Sequence, residues 1–327
     1  MDIFNLPFWT FVAVIAGIYT IFALGLYVQY ALTGLPNFGH VAFAALAAYT
    51  MAILVIRFAS PMPLAALAGL LIAVLFSFVL GVPTLRLRAD YLAIATVAGG
   101  EIVRYLALNM QGLTGGPLGS IGMLGPTKLA QYNGPWDALI RRIVDALKHS
   151  PLFASVASRD FAMLLIVWPL ALLLLLVFWL MARSPWGRLM RAIREDEAAA
   201  AAVGKNVFRA KMQALALGAL LGGLAGLLLA WQIGIVTPDD YQPTFTFYAY
   251  LILILGGTTR IWAIPFGAVL FGLLYSGTRF LNFFPLSLFD SGERAYLRLL
   301  LVGLLLIVLM AVRPQGLLGN RRELLLQ

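Results

Sequence analysis

Two charged residues, Glu101 and Arg104, stand inside an otherwise apolar stretch of the chain. Because they are three residues apart, a helix places both side chains on one face. A charge near the centre of a membrane helix costs roughly 2.5–3.5 kcal/mol, and pairing with an opposite charge lowers that cost. The pair therefore indicates either a polar patch on a path through the membrane or a structural ion pair between helices.

A second polar stretch, residues 33–40 (TGLPNFGH), separates two apolar runs. Its glycines and proline interrupt a helix, while Asn37 and His40 supply polar side chains. Non-helical backbone at membrane depth is tolerated only where it is buried in protein or lines a cavity. We interpret the stretch either as part of a solute path or as an ordinary cytoplasmic turn. On the first interpretation the substrate-pathway residues are Asn37, His40, Glu101 and Arg104.

The longest charged segment comprises residues 183–211, with seven Lys or Arg and three acidic residues between two apolar runs. A run of alanines after Glu197 favours helix, and Gly204 provides a natural stop. Basic segments between membrane spans are retained on the cytoplasmic side. We predict a short surface helix that is available to a cytoplasmic partner. The alternative is a basic loop that only fixes the topology.

Composition excludes several classes of function. Apolar residues make up 62% of the chain and charged residues 11%, against roughly 45–50% and 25% in soluble domains. The net charge of +9 comes from basic residues at the ends of apolar runs, a placement that fits membrane topology and not nucleic-acid binding. There is no cysteine, no GxxxxGK[ST] and no HExxH, and the two histidines lie far apart. We therefore expect no metal, no cofactor and no catalysis by this chain.

The apolar runs predict an all-α polytopic membrane protein with about 8–10 transmembrane helices, including broken or re-entrant segments. The N-terminal run is interpreted as a true span and not as a signal peptide. Lys and Arg in the short loops put residues 183–211 on the cytoplasmic side and residues 110–160 outside. The nine candidate spans are residues 8–32, 41–57, 62–81, 89–109, 161–182, 212–234, 246–255, 261–281 and 295–312.

Several stretches resemble the permease subunits of ABC importers for branched-chain amino acids, the hydrophobic amino acid uptake family. The chain looks most like the larger of the two related permeases. Residues 33–49 are similar to the family pattern TG-x-x-N-x-GH-x-AF-x-x-x-GAY, with Val41 and Ala47 in place of frequent glycines. Residues 183–204 carry the most specific match. The other matching stretches are residues 85–104, 113–116 and, more weakly, 256–268.

The resemblance implies one permease domain over residues 1–327 of a multi-pass protein in the bacterial or archaeal inner membrane. Its implied partners are membrane lipid, two ABC ATPase subunits, a homologous permease subunit and an extracytoplasmic substrate-binding protein. Residues 110–160 and 237–241 become candidate surfaces for the binding protein. The segment 183–211 would couple the chain to the ATPase. The coupling residues are then Arg188, Arg191, Arg194, Glu195, Asp196, Glu197 and Gly204.

Other functions stay open from the sequence. The same type of importer could carry urea or short amides, because the binding protein sets much of the specificity. A stand-alone secondary carrier would show an inverted repeat and paired ionisable residues at the midplane, and the sequence has no convincing repeat. A membrane-embedded enzyme would need converging catalytic or metal-binding groups, which the sequence lacks.

Overall fold

The computed structural model describes residues 6–124, 129–149, 153, 156–280, 300, 303–304, 307–308 and 316–318. Every regular element in this part of the chain is helical. The helices are α1 (Leu6–Leu26), continued by a π-helical turn at Tyr27–Ala31, α2 (Val41–Phe58), α3 (Met62–Thr84), α4 (Ala89–Asn109), α5 (Gln111–Thr114), α6 (Ser120–Leu124), α7 (Leu129–Lys148), α8 (Arg159–Arg183), α9 (Pro185–Glu195), α10 (Glu197–Ala202), α11 (Val207–Ile233), α12 (Pro243–Gly256) and α13 (Ala263–Phe280). Short 3-10 turns occupy Gly116–Leu118 and Pro238–Tyr241.

The prediction of an all-α polytopic membrane protein is confirmed. Within the described residues, six helices are long and apolar enough to cross a membrane: α1 with its π-turn, α2, α3, α4, α8 and α11. Two shorter apolar helices, α12 and α13, correspond to the seventh and eighth predicted spans. The ninth predicted span, residues 295–312, lies largely outside the described residues.

The chain divides into two compact units. The larger unit comprises Ile21–Leu139 and Leu174–Ala249 and is built on α2, α3, α4 and α11. Small residues let these helices approach closely, as in many membrane bundles. A Cβ on Gly226 would lie 2.4 Å from the Ala44 carbonyl oxygen, and one on Gly69 would lie 2.4 Å from that of Ala47. Backbone therefore meets backbone where α2 crosses α11 and α3.

The other unit comprises Met1–Thr20, Ile140–Leu173 and Tyr250–Gln327. In its described part, the indole nitrogen of Trp168 donates to the Ala13 carbonyl at 2.9 Å, which joins α8 to α1. α12 and α13 form a hairpin in which a Cβ on Gly267 would meet the Ile252 carbonyl oxygen at 2.3 Å. The stretch 256–268 is therefore a short turn followed by the start of α13.

Candidate transport and coupling sites

The break at residues 33–40 is buried in the larger unit. After the π-turn ends at Ala31, the chain reverses without forming a helix and enters α2 at Val41. Asn37 and His40 are only 1% and 0% exposed. Non-helical backbone with buried polar groups is tolerated where protein encloses it, and here α1, α4 and α11 pack around the break. A solute path along the break stays a prediction.

A chain of buried hydrogen bonds holds the break in place. Asn37 donates from Nδ2 to Oε1 of Gln29 at 3.0 Å, and its Oδ1 accepts from the Gly39 amide at 3.0 Å. Gln29 in turn donates from Nε2 to the Leu215 carbonyl of α11 at 3.2 Å. The side-chain amides of Asn37 and Gln29 thus have partners, which avoids the cost of leaving them unsatisfied, whereas both ring nitrogens of His40 are buried without one among the described residues. Sequence analysis missed Gln29, because a single glutamine in an apolar run gives no sign of its partners.

His40 lies where α1 and α11 come together around the break. Its ring packs 4.6 Å from the ring of Phe22 and 5.7 Å from that of Phe43, measured between centroids. Glycines make room for it, since a Cβ on Gly25 or Gly222 would lie 2.9 or 3.0 Å from its Nε2. The His40 ring fits in this space because Gly25 and Gly222 carry no side chains.

The break also packs directly on α4. The Phe38 amide donates to Oγ1 of Thr96 at 3.1 Å. A Cβ on Gly39 would lie 1.9 Å from the Thr96 carbonyl oxygen, and one on Gly100 would lie 3.3 Å from the Gly39 Cα. Gly100 immediately precedes Glu101, so the four predicted pathway residues belong to the break and to the α4 segment against it.

Glu101 and Arg104 form the ion pair that their spacing predicts. Arg104 Nη2 donates to Glu101 Oε2 at 2.7 Å, and Arg104 Nε donates to Glu101 Oε1 at 3.0 Å. Their side chains keep 25% (Glu101) and 17% (Arg104) of their exposed area. The Arg104 guanidinium also lies 4.9 Å from the centroid of the Tyr105 ring. The pair is thus locally satisfied on a partly open face of α4, whereas Asn37 and His40 are fully enclosed.

The charged segment forms two short helices where the sequence predicts one. α9 ends at Glu195, because Asp196 adopts an extended backbone (φ −152°) and is the N-cap residue of α10. The Asp196 carboxylate accepts from the amides of Ala198 and Ala199 at 2.8 and 3.0 Å. An N-cap residue has a non-helical backbone, so the aspartate that caps α10 cannot also continue α9. Gly204 follows α10 with φ +79°, which confirms the predicted stop.

The predicted coupling residues have different surroundings. Arg188 and Arg191 are exposed on α9. Arg194 is also exposed, but its Nη1 donates to the Ala31 carbonyl oxygen at 2.7 Å while its Nη2 pairs with Glu195. A separate pair, Glu197 with Lys211, links α10 to the first turns of α11. Lys211 is 8% exposed, so the foot of this membrane span is fixed to the surface helices.

A groove of about 470 Å³ runs between α9 and α10. Its floor is mainly apolar, and two basic residues, Arg188 and Lys205, stand along it. Indole nitrogen Nε1 of Trp186, at one end, donates to Gln213 of α11 at 3.1 Å. The remaining lining residues are Pro185, Leu189, Ala192, Ala200 and Val203.

Comparison with known proteins identifies the family. The model of the branched-chain amino acid transport system permease component matches residues 8–310. The chain belongs to this family. It is 34% identical over 95% of its length, and 70% of the relative's, to the high-affinity branched-chain amino acid transport system permease protein LivM of Escherichia coli (strain K12). A probable branched-chain amino acid transport permease protein LivM of Methanocaldococcus jannaschii is 22% identical over 93% of this chain and 91% of its own.

A second E. coli relative, the high-affinity branched-chain amino acid transport system permease protein LivH, is 30% identical over 58% of this chain and 54% of its own. No solved structure matches the chain significantly. Membership of this permease family, together with the six apolar helices, identifies a multi-pass protein of the cytoplasmic membrane.

At the far end of α11, the two stretches that the sequence analysis named as candidate surfaces of the permease come together. The Ser120 amide donates to the Val236 carbonyl at 2.9 Å, and the Val236 amide donates to Oγ of Ser120 at 3.0 Å. Gly119, with φ +55°, lies so close to Val236 that a Cβ would not fit. Residues 119–120 and 236–241 are thus joined, about 40 Å from the start of the 27-residue α11, and Asp239 is the exposed residue among them.

Asp240 anchors the 3-10 turn Pro238–Tyr241. Its Oδ2 accepts from the Thr237 amide at 3.1 Å and from the Thr237 hydroxyl at 2.7 Å. Burial raises the pKa of Asp240 above its ordinary value, although the hydrogen bonds from Thr237 oppose that shift. Within the described residues, no group of three or more His, Asp or Glu is placed to hold a metal ion.

Proposed function

We propose that the chain is a permease subunit of an ABC importer that carries branched-chain or other hydrophobic amino acids inward. ATP would be hydrolysed by two separate ATPase subunits, since the sequence has no GxxxxGK[ST] segment to hold nucleotide. A homologous permease subunit, membrane lipid and an extracytoplasmic binding protein complete the machine. The names of the E. coli and M. jannaschii relatives support the substrate class and a paired permease.

The observation that carries the proposal is the exposed helix pair α9–α10 fixed to the foot of α11. Its groove offers apolar surface with Arg188 and Lys205 beside it. Such a surface suits a partner segment that presents apolar side chains and acidic groups. The Glu197–Lys211 pair would pass a movement of the helices directly to a membrane span. The proposed occupant of the groove is an ATPase subunit.

The solute path would follow the break and α4, past Asn37, His40 and the Glu101–Arg104 pair. Asn37 and His40 are covered in this conformation, so transport requires the elements around them to separate. The opposite end of α11, where residues 119–120 and 236–241 meet and Asp239 is exposed, would receive the binding protein. Its position at the far end of α11 from the groove supports this assignment.

The test is ATP hydrolysis by the complex in lipid, purified through a tag on this chain. Co-purified ATPase subunits, stimulated by binding protein loaded with leucine, would support the proposal. Stimulation by urea-loaded but not by leucine-loaded binding protein would replace the substrate class. Uptake driven by an ion gradient, with this chain alone and no ATPase retained, would make it a secondary carrier.

Reversing the charge of exposed arginines on α9 tests whether the ATPase subunit docks there. We expect Arg188→Glu combined with Arg191→Glu to abolish retention of the ATPase subunits while the chain still inserts in the membrane. The matched control is Arg141→Glu combined with Arg142→Glu, which reverses two exposed arginines on α7. ATPase retention that falls equally in both variants would argue against the groove.

A further inference from the structure

Arg194 differs from the other arginines of α9 because it bonds to the end of the first membrane span. Its Nη1 donates to the carbonyl oxygen of Ala31, the last residue of the π-turn, at 2.7 Å. The last carbonyls of a helix lack partners within the helix, and a cationic side chain there satisfies one of them. By contrast, the Arg191 side chain makes no hydrogen bond or ion pair to any residue that the structure describes.

The chain reversal after Ala31 is shaped to fit Arg194. Gly34 has φ +73°, and a Cβ there would lie 3.0 Å from Cγ and 3.5 Å from Cα of Arg194. The reversal is closed by its own backbone bonds, from the Gly34 amide to the Tyr30 carbonyl and from the Leu35 amide to the Gln29 carbonyl, each at 2.9 Å. The aliphatic stem of Arg194 therefore rests on the turn while its guanidinium holds the helix end.

The same turn leads into the buried hydrogen bonds of the break. In the π-turn Tyr27–Ala31, Gln29 joins Asn37 on one side and the Leu215 carbonyl of α11 on the other. π-turns inside helices occur frequently at functional sites. From Arg194, contacts thus continue through Ala31 and Gly34 to Asn37, which lies three residues after Gly34.

We propose that Arg194 is a positioning residue that ties α9 to the broken first span, so that movement of α9 moves the 33–40 break. This inference rests on the proposed function, in which an ATPase subunit moves α9. It changes the role given to Arg194 by sequence: the residue acts inside the chain and is not a docking residue like Arg188 and Arg191. An effector shifts a conformational equilibrium only through contacts that differ between the two conformations. The hydrogen bond from Arg194 to Ala31 joins α9, which the ATPase subunit would move, to the span that leads into the break.

The central variant is Arg194→Met, which keeps an unbranched stem and removes the donor. We expect the purified complex to retain its ATPase subunits and to hydrolyse ATP, while amino acid uptake per ATP falls by about tenfold or more, as for loss of a charged hydrogen bond. Arg194→Lys, which can still donate to the carbonyl, should restore part of the coupling. Arg86→Met, at an exposed arginine in the turn between α3 and α4, is the control and should leave uptake per ATP at the wild-type value.

Gly34→Ala tests the same contact without altering α9. A methyl group there meets Arg194 and disfavours the backbone conformation, so we expect the same uncoupling with ATPase retained.

The outcomes separate the two claims. A wild-type complex that retains no ATPase overturns the proposed function and this inference with it. If the wild-type complex is coupled but Arg194→Met loses its ATPase subunits, Arg194 is a docking residue and the inference is wrong. Wild-type uptake per ATP in both Arg194→Met and Gly34→Ala would also refute it.

Discussion

The contact between Gly39 and α4 gives the sharpest test of how the break is packed. In Gly39→Ala, the new Cβ would lie 1.9 Å from the carbonyl oxygen and 2.7 Å from the carbonyl carbon of Thr96. Ordinary contacts begin near 3.4 Å, and the obstructing atoms are backbone, so no side chain can rotate away. The break and α4 must therefore separate, which also strains the bond from the Phe38 amide to Thr96.

Overpacking of this kind costs about 1–3 kcal/mol and occasionally more. At about 2.1 cal/mol/K of unfolding entropy per residue, a chain of 327 residues loses about 1.5 °C of Tm per kcal/mol, so we expect Gly39→Ala to unfold about 1–5 °C below the wild type. The seven tryptophans allow unfolding to be followed by intrinsic fluorescence in detergent. Uptake of labelled leucine by cells with matched amounts of protein gives the functional measurement, and we expect it to be reduced.

Gly134→Ala is the matched control. A Cβ at Gly134 in α7 meets no atom within 4 Å, and alanine is favoured over glycine in a helix by roughly 0.5–1 kcal/mol. This variant should unfold at or slightly above the wild-type temperature. If Gly39→Ala also unfolds at the wild-type temperature and transports normally, the close approach between the break and α4 is wrong.

Three further perturbations test the ion pair, the cap and the turn at Asp240. Glu101→Ala leaves Arg104 without its partner and should reduce membrane abundance or uptake several-fold, whereas the double variant with Arg104→Ala should recover abundance; wild-type uptake in the single variant would show the pair to be dispensable. Asp196→Ala should destabilise α10 by about 0.5–2 kcal/mol and speed hydrogen exchange of its first amides, while Asp196→Ser should keep the cap; equal exchange in both would contradict the capping role. Burial raises the pKa of Asp240, so the folded state favours the protonated carboxyl group. This preference stabilises the folded state at low pH, and the stabilisation is lost as pH rises from 3.8 through the raised pKa of Asp240. Asp240→Asn should remove that pH dependence, and unchanged pH dependence of unfolding in the variant would show that the group does not titrate in this way.

Hydropathy and local spacing predicted much of the fold. α4 begins at Ala89 and ends at Asn109, as its apolar run indicates, and the other spans differ by a few residues at their ends. The Gly204 stop and the Glu101–Arg104 pair were also predictable, because each depends on neighbours within one or two turns of helix. The sequence did not reveal the π-turn or the division of the charged segment at Asp196, since a polar residue in a helix-prone run is compatible with either continuing or capping the helix.

What the sequence determined by itself is therefore the membrane class and the helical spans, which follow from the cost of placing polar groups in lipid. Tertiary structure alone decided which polar groups meet. Gln29 bonds a carbonyl 186 residues away, Arg194 bonds one 163 residues away, and Ser120 bonds an amide 116 residues away. No local pattern encodes such pairs, because they depend on how whole helices pack before any side chain can find its partner.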